Sequence, residues 1–70
     1  MQTEQTNVLR LPDVMRRIGL SKPSIYRLEK QGRFPRRIKL SASASGYLES
    51  EIDAWLADRI AARDRAGAAA

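Results

Sequence analysis

The 70-residue chain contains neither cysteine nor histidine. The first absence excludes a disulfide framework and a thiolate metal site, and the second removes the commonest metal ligand and general base together. No stretch approaches the roughly 20 apolar residues that cross a bilayer. The polar start from Met1 to Asn7 has no apolar core of a secretory signal, so a cytoplasmic protein is expected. So short a chain buries only about 60% of its unfolded surface, room for a single domain held by packing alone. There is no Gly-rich phosphate loop, no βαβ pattern and no internal repeat, and no cofactor or metal is expected.

What is present is positive charge, unevenly spread. Thirteen Lys and Arg stand against eight Asp and Glu, a formal net charge of +5. The first ten residues balance. From Leu11 to Leu40 nine cations (Arg16, Arg17, Lys22, Arg27, Lys30, Arg33, Arg36, Arg37 and Lys39) face two anions, Asp13 and Glu29, a balance of +7. From Ser41 onward Arg59, Arg63 and Arg65 face five carboxylates, a balance of −2. A basic segment followed by an acidic one gives the molecule one cationic side, suited to a polyanion; a merely solvated surface is the competing reading.

Hydrophobic spacing divides the chain. Leu11, Val14, Met15 and Ile18 recur at i, i+3, i+4 and i+7, one stripe of an amphipathic helix with Pro12 in its first turn and Gly19 as its stop. Ser21 then reads as an N-cap with Pro23 early in the next helix, which should run from about Lys22 to Gln31 and end at Gly32. Arg36 to Leu40 alternates charge and aliphatic and reads as a short strand. Ser41 to Gly46 reads as a loop longer than the tight two-residue type, and Gly46 to Leu48 as the returning strand. Ser50 and Asp53 form a variant capping box opening a third helix whose stripe is Ile52, Trp55, Leu56 and Ile60. Residues 1–7 read as a disordered lead-in, 8–64 as the folded domain, and 65–70 as a fraying Ala-rich tail. The fold class is mainly α with a small β-hairpin.

Two short helices joined by Gly19, Leu20 and Ser21 have the connection of a helix-turn-helix, whose second helix enters the DNA major groove. On a wheel of about 100° per residue, Ile25 and Leu28 mark its buried side. Lys22, Pro23, Tyr26, Arg27 and Lys30 fall opposite, and Glu29 sits at the edge of the buried side. Arg27 can offer its planar fork to guanine edges, and Tyr26 can donate to phosphate or stack on a base. Ser21 and Lys22 lie at a helix N-terminus that favours phosphate, although Ser21 reads equally well as a simple cap. Arg36, Arg37 and Lys39 would make the hairpin a basic wing, with Arg37 and Lys39 on the same face. Catalysis is not expected: Glu49, Glu51 and Asp53 flank a helix start, where carboxylates favour the dipole, and the serines have no base to activate them. Trp55 reads as core.

These residues resemble the AlpA family of phage and prophage regulators, a group similar to excisionases and to the DNA-binding domain of MerR-type proteins. The resemblance rests on Arg10-Leu-Pro-Asp-Val, Gly19-Leu-Ser, Ser24-Ile-Tyr-Arg-Leu, Gly32-Arg-Phe-Pro, Ile38-Lys-Leu and Gly46-Tyr-Leu-Glu-Ser-Glu-Ile-Asp-Ala-Trp, and covers about Val8 to Arg63. It implies a winged helix-turn-helix that binds promoter or attachment-site DNA and switches on an integrase or excision gene. Ser21, Lys22, Ser24, Tyr26 and Arg27 match the family's recognition-helix positions, and Arg36, Arg37 and Lys39 its wing. Two departures are the serine-rich Ser41 to Ser45, where members often carry a basic residue, and Tyr47, where they often carry tryptophan. The expected partner is double-stranded DNA, bound by paired or cooperating copies. The competing expectations are a recombination directionality factor that bends attachment-site DNA and a protein-binding adaptor.

Overall fold

The computed structural model describes residues 7–69. In chain order the elements are β1 (Val8–Leu9), α1 (Leu11–Ile18), α2 (Lys22–Lys30), β2 (Ile38–Ser41), β3 (Ala44–Leu48) and α3 (Glu49–Ala69). The sheet has the order β1-β3-β2, antiparallel throughout, with Val8 opposite Leu48 and Ile38 opposite Gly46. No helix among the described residues is long and apolar enough to cross a membrane.

Local chemistry sets the helix ends. Pro12 and Pro23 each occupy the first turn, where a missing N–H costs nothing. Gly19 and Gly32 take positive φ, both +73°, the left-handed conformation that lets a chain leave a helix without Cβ strain. After α2, Arg33 N–H donates to the Leu28 carbonyl and Gly32 N–H to that of Glu29, the paired bonds of a Schellman ending.

The core is Val14, Ile25, Phe34, Tyr47 and Ile52, ringed by Leu9, Leu11, Met15, Ile18, Leu20, Tyr26, Leu28 and Trp55. Phe34, in the loop after α2, meets Tyr47 edge-on at 5.8 Å and Trp55 at 4.9 Å, contacts that add about 0.5–1.5 kcal/mol each beyond area buried. The Trp55 indole N–H donates to the Arg33 carbonyl at 2.9 Å, pinning that loop to α3. Trp55 is therefore a half-buried cover on Phe34 rather than a core centre.

Several details depart from the sequence expectations. β1 was not expected: two residues carry no periodicity, and Val8–Leu9 becomes a strand only because β3 offers it an edge. The hairpin turn contains two residues, Ala42 and Ser43, not a longer loop. No described non-glycine residue has positive φ, and the ladder slips between Lys39 and Ser41. That bulge replaces the left-handed residues a tight hairpin otherwise requires. Ser50 does not cap α3, which already begins at Glu49. The Glu49 N–H instead donates to the Asn7 carbonyl at 2.9 Å, so neighbouring backbone does the work of a capping hydroxyl. Asn7, placed by its sequence in the lead-in, is thus held; the rest of that segment, residues 1–6, and Ala70 of the tail lie outside the described residues. α3 continues through the Ala-rich stretch to Ala69, consistent with alanine's high helix propensity. Ile60, expected on the apolar stripe, is 44% exposed, because the helix has by then passed beyond the core.

A three-way polar clamp ties the first helix to the last. The Arg17 guanidinium donates to Asp53 at 2.8 Å and to Glu49 at 2.9 Å, and Asn7 donates to the other Glu49 oxygen at 3.0 Å. The carboxylates that suggested only dipole compensation thus also serve as anchors. Hydrogen bonds from Asn7 and Arg17 hold the Glu49 carboxyl below its ordinary pKa, and those that Arg17 donates to Asp53 and Glu49 raise its own.

Two outcomes follow. A carboxyl with a depressed folded pKa stabilises above its unfolded value and loses that contribution as pH falls through the folded one. Melting temperature should therefore decline between about pH 5 and pH 3, less steeply in Glu49→Gln. At Gly46, which is buried, an added Cβ would run into the Val8 side chain and lie 3.1 Å from the Leu9 carbonyl oxygen and 3.3 Å from Leu40. Gly46→Ala must push β1 off the sheet and should cost about 1–3 kcal/mol in urea unfolding.

Candidate nucleic-acid interface

The α1–α2 connection places α2 with Ile25 fully buried and Leu28 partly so, while Lys22, Pro23, Arg27 and Lys30 are exposed and Tyr26 half-buried. The cations fall on the exposed side as the wheel placed them, whereas Tyr26, placed with them, packs partly against the core. Ser21 caps α2: its hydroxyl accepts from the Ser24 N–H at 3.4 Å and donates to the Ser24 hydroxyl at 3.0 Å. Ser24 in turn accepts from the Arg27 guanidinium at 3.3 Å. Ser21 and Ser24 therefore shape the helix start and steer Arg27, and both hydroxyls already have protein partners.

The wing residues separate. β2 begins at Ile38, so Arg36 and Arg37 lie in the loop before it and only Lys39 is on the strand. Arg36 is exposed and lines an open cleft with Tyr26, Glu29, Lys30 and Arg37. Lys39 is exposed opposite Ser45. Arg37 does not share its freedom. Its guanidinium lies 4.4 Å from the centre of the Tyr26 ring, and its Nε is 3.2 Å from a Glu29 oxygen. The Lys22 ammonium approaches the same ring at 5.7 Å. Burial opposes the Arg37 charge, yet Glu29, with Tyr47 and Tyr26, lifts its pKa above that of an ordinary arginine.

Glu29 is the residue whose importance the sequence understated. Its side chain is 12% exposed, and its second oxygen accepts from the hydroxyl of the buried Tyr47. Burial, and then the bond to Glu29 and its charge, pushes the Tyr47 phenol well above its ordinary pKa. The available signal was positional: Glu29 is the sole anion between Lys22 and Leu40, at the rim of the buried face. A carboxylate so placed requires a cation and a donor.

Pairing trims the basic segment. Arg16 binds Asp13, Arg17 binds Glu49 and Asp53, and Arg37 binds Glu29. That leaves Lys22, Arg27, Lys30, Arg33, Arg36 and Lys39 of this segment without a carboxylate partner among the described residues, and they lie on α2, its following loop and β2. No three His, Cys, Asp or Glu side chains among the described residues are grouped to hold a metal ion.

A helix pair with a three-residue turn, a second helix exposed along a cationic face and an adjoining hairpin define a winged helix-turn-helix domain. The chain belongs to the AlpA family: the model of the prophage CP4-57 regulatory protein (AlpA) matches residues 7–60. It is 44% identical over 61 residues to the uncharacterized protein ORF88 of Enterobacteria phage P4, covering 87% of this chain and 69% of that one. It is 33% identical over 58 residues to the DNA-binding transcriptional activator AlpA of Escherichia coli K12, covering 74% of this chain and 83% of the relative.

Removing the Tyr47 hydroxyl leaves a nearly buried carboxylate short of one donor. Tyr47→Phe should lower stability by about 1.5–3 kcal/mol, the range for hydrogen bonds to charged groups, without altering the far-ultraviolet dichroism.

Proposed function

We propose that the chain is a sequence-specific double-stranded DNA-binding regulator of transcription, acting in the cytoplasm on an integrase or excision gene of a prophage or integrative element, with no catalytic activity. The observation that carries this reading is the exposed face of α2, where Lys22, Arg27 and Lys30 stand without carboxylate partners on the second helix of a helix-turn-helix. The relative named a DNA-binding transcriptional activator supports it independently. α2 enters the major groove, with Arg27 reading base edges from the orientation Ser24 gives it. Lys22, Arg36 and Lys39 neutralise phosphates. The engagement of Glu49 and Asp53 with Arg17 supports a binder over an enzyme. A single module of this kind covers only about 600–1,000 Å² of DNA, so copies pair on repeated half-sites.

Selection from random duplexes at about 150 mM salt, where non-specific binding is weak, should enrich one short motif. Failure to enrich any sequence would overturn the reading in favour of a protein-binding adaptor. On the selected duplex Arg27→Ala should cost about 1–3 kcal/mol and relax preference at one base pair. Lys39→Ala should weaken all duplexes alike and reduce the log–log salt slope by about 0.9.

A further inference from the structure

On a face that meets phosphates a carboxylate is a liability, since each anion there opposes binding by direct repulsion. Glu29 occupies such a place: it lies on α2 and lines one cleft with Lys30 and Arg36. Its two oxygens are turned to different segments, one to Tyr47 on β3 and the other to Arg37 in the loop leading to β2. Arg37 in turn covers the Tyr26 ring at 4.4 Å. A single carboxylate thus joins the exposed helix to both sides of the hairpin.

We propose that Glu29 is a positioning residue of the DNA interface: it locks the wing to α2 and holds Arg37 flat against Tyr26, so that helix and hairpin meet DNA as one rigid unit. Arg37 is then a clamp and not a phosphate contact. Its charge is balanced by Glu29, and the face of Tyr26 that it covers is closed to bases. What the protein gains is selectivity, because base contacts from α2 and phosphate contacts from the wing must be satisfied in one fixed geometry. What it gives up is one cation's worth of general affinity. This inference rests on the DNA-binding reading above.

Charge and geometry are separable here, since Glu29→Gln removes the charge and Glu29→Asp keeps it on a shorter arm. In the DNA-free protein the Arg37 side-chain protons should show upfield ring-current shifts from Tyr26, and these signatures should vanish in either variant. On DNA, Glu29→Gln should bind random duplex more tightly, with a salt slope steeper by about 0.9 as Arg37 is released. Its preference for the selected duplex should fall about tenfold, the scale of losing readout at one base pair. Glu29→Asp should lose the same preference with little gain on random duplex. Arg37→Ala, at a half-exposed position that tolerates truncation, should lose preference while leaving the salt slope unchanged. A wild-type preference in Glu29→Asp would overturn the proposal, as would a ring-current shift that persists in both Glu29 variants or an Arg37→Ala slope reduced by about 0.9 with preference intact. Should the wild-type chain select no duplex, the DNA-binding reading fails, and the DNA-free signatures of Arg37 still decide whether Glu29 holds it.

Discussion

Five side chains, each from a different segment, form the one cluster on which every other feature rests: Val14 of α1, Ile25 of α2, Phe34 of the following loop, Tyr47 of β3 and Ile52 of α3. With no cysteine in the chain to form a disulfide, the elements are placed chiefly by how these five fit. Tyr47 brings a constraint that the other four do not, because a buried phenol needs a partner for its hydroxyl. That need is met by Glu29, whose second oxygen takes Arg37, which lies on Tyr26. A requirement of the interior therefore decides which cations at the surface are free.

Exposed ion pairs contribute about 0–1 kcal/mol each, so the Arg16–Asp13 pair and the neighbouring pairs on α3 do little to hold the fold. Their effect is on the field. Within the basic segment the pairs with Asp13, Glu49 and Asp53 remove Arg16 and Arg17 from the cationic surface and leave its unpaired charge on α2, the loop after it and β2. The total of +5 says less about the partner than this partition does.

The first two helices could be read from the sequence because each has its own punctuation: a proline in the first turn, a stripe of aliphatics, a glycine just past the end. The exposed face of α2 followed from the same periodicity, and so did the fold class. What could not be read lies in pairings between distant residues. β1 depends on an edge forty residues away, Val8 with Leu48. The start of α3 depends on Asn7, forty-two residues earlier. Phe34 shows no periodicity in its loop and is recognisable as core only once Tyr47 and Trp55 close on it. Arg37 counted as a free wing cation for the same reason, since its position in the chain says nothing of Glu29 and Tyr26 beside it.

The sheet ends in two abbreviated rims. β1 is two residues long, and the ladder of β2 is broken by the slip between Lys39 and Ser41. Neither rim offers a regular run of open peptide groups that could recruit a strand from another molecule. For a cationic chain that a polyanion would concentrate locally, this is protection against aggregation: copies can crowd side by side without zipping together through their backbones.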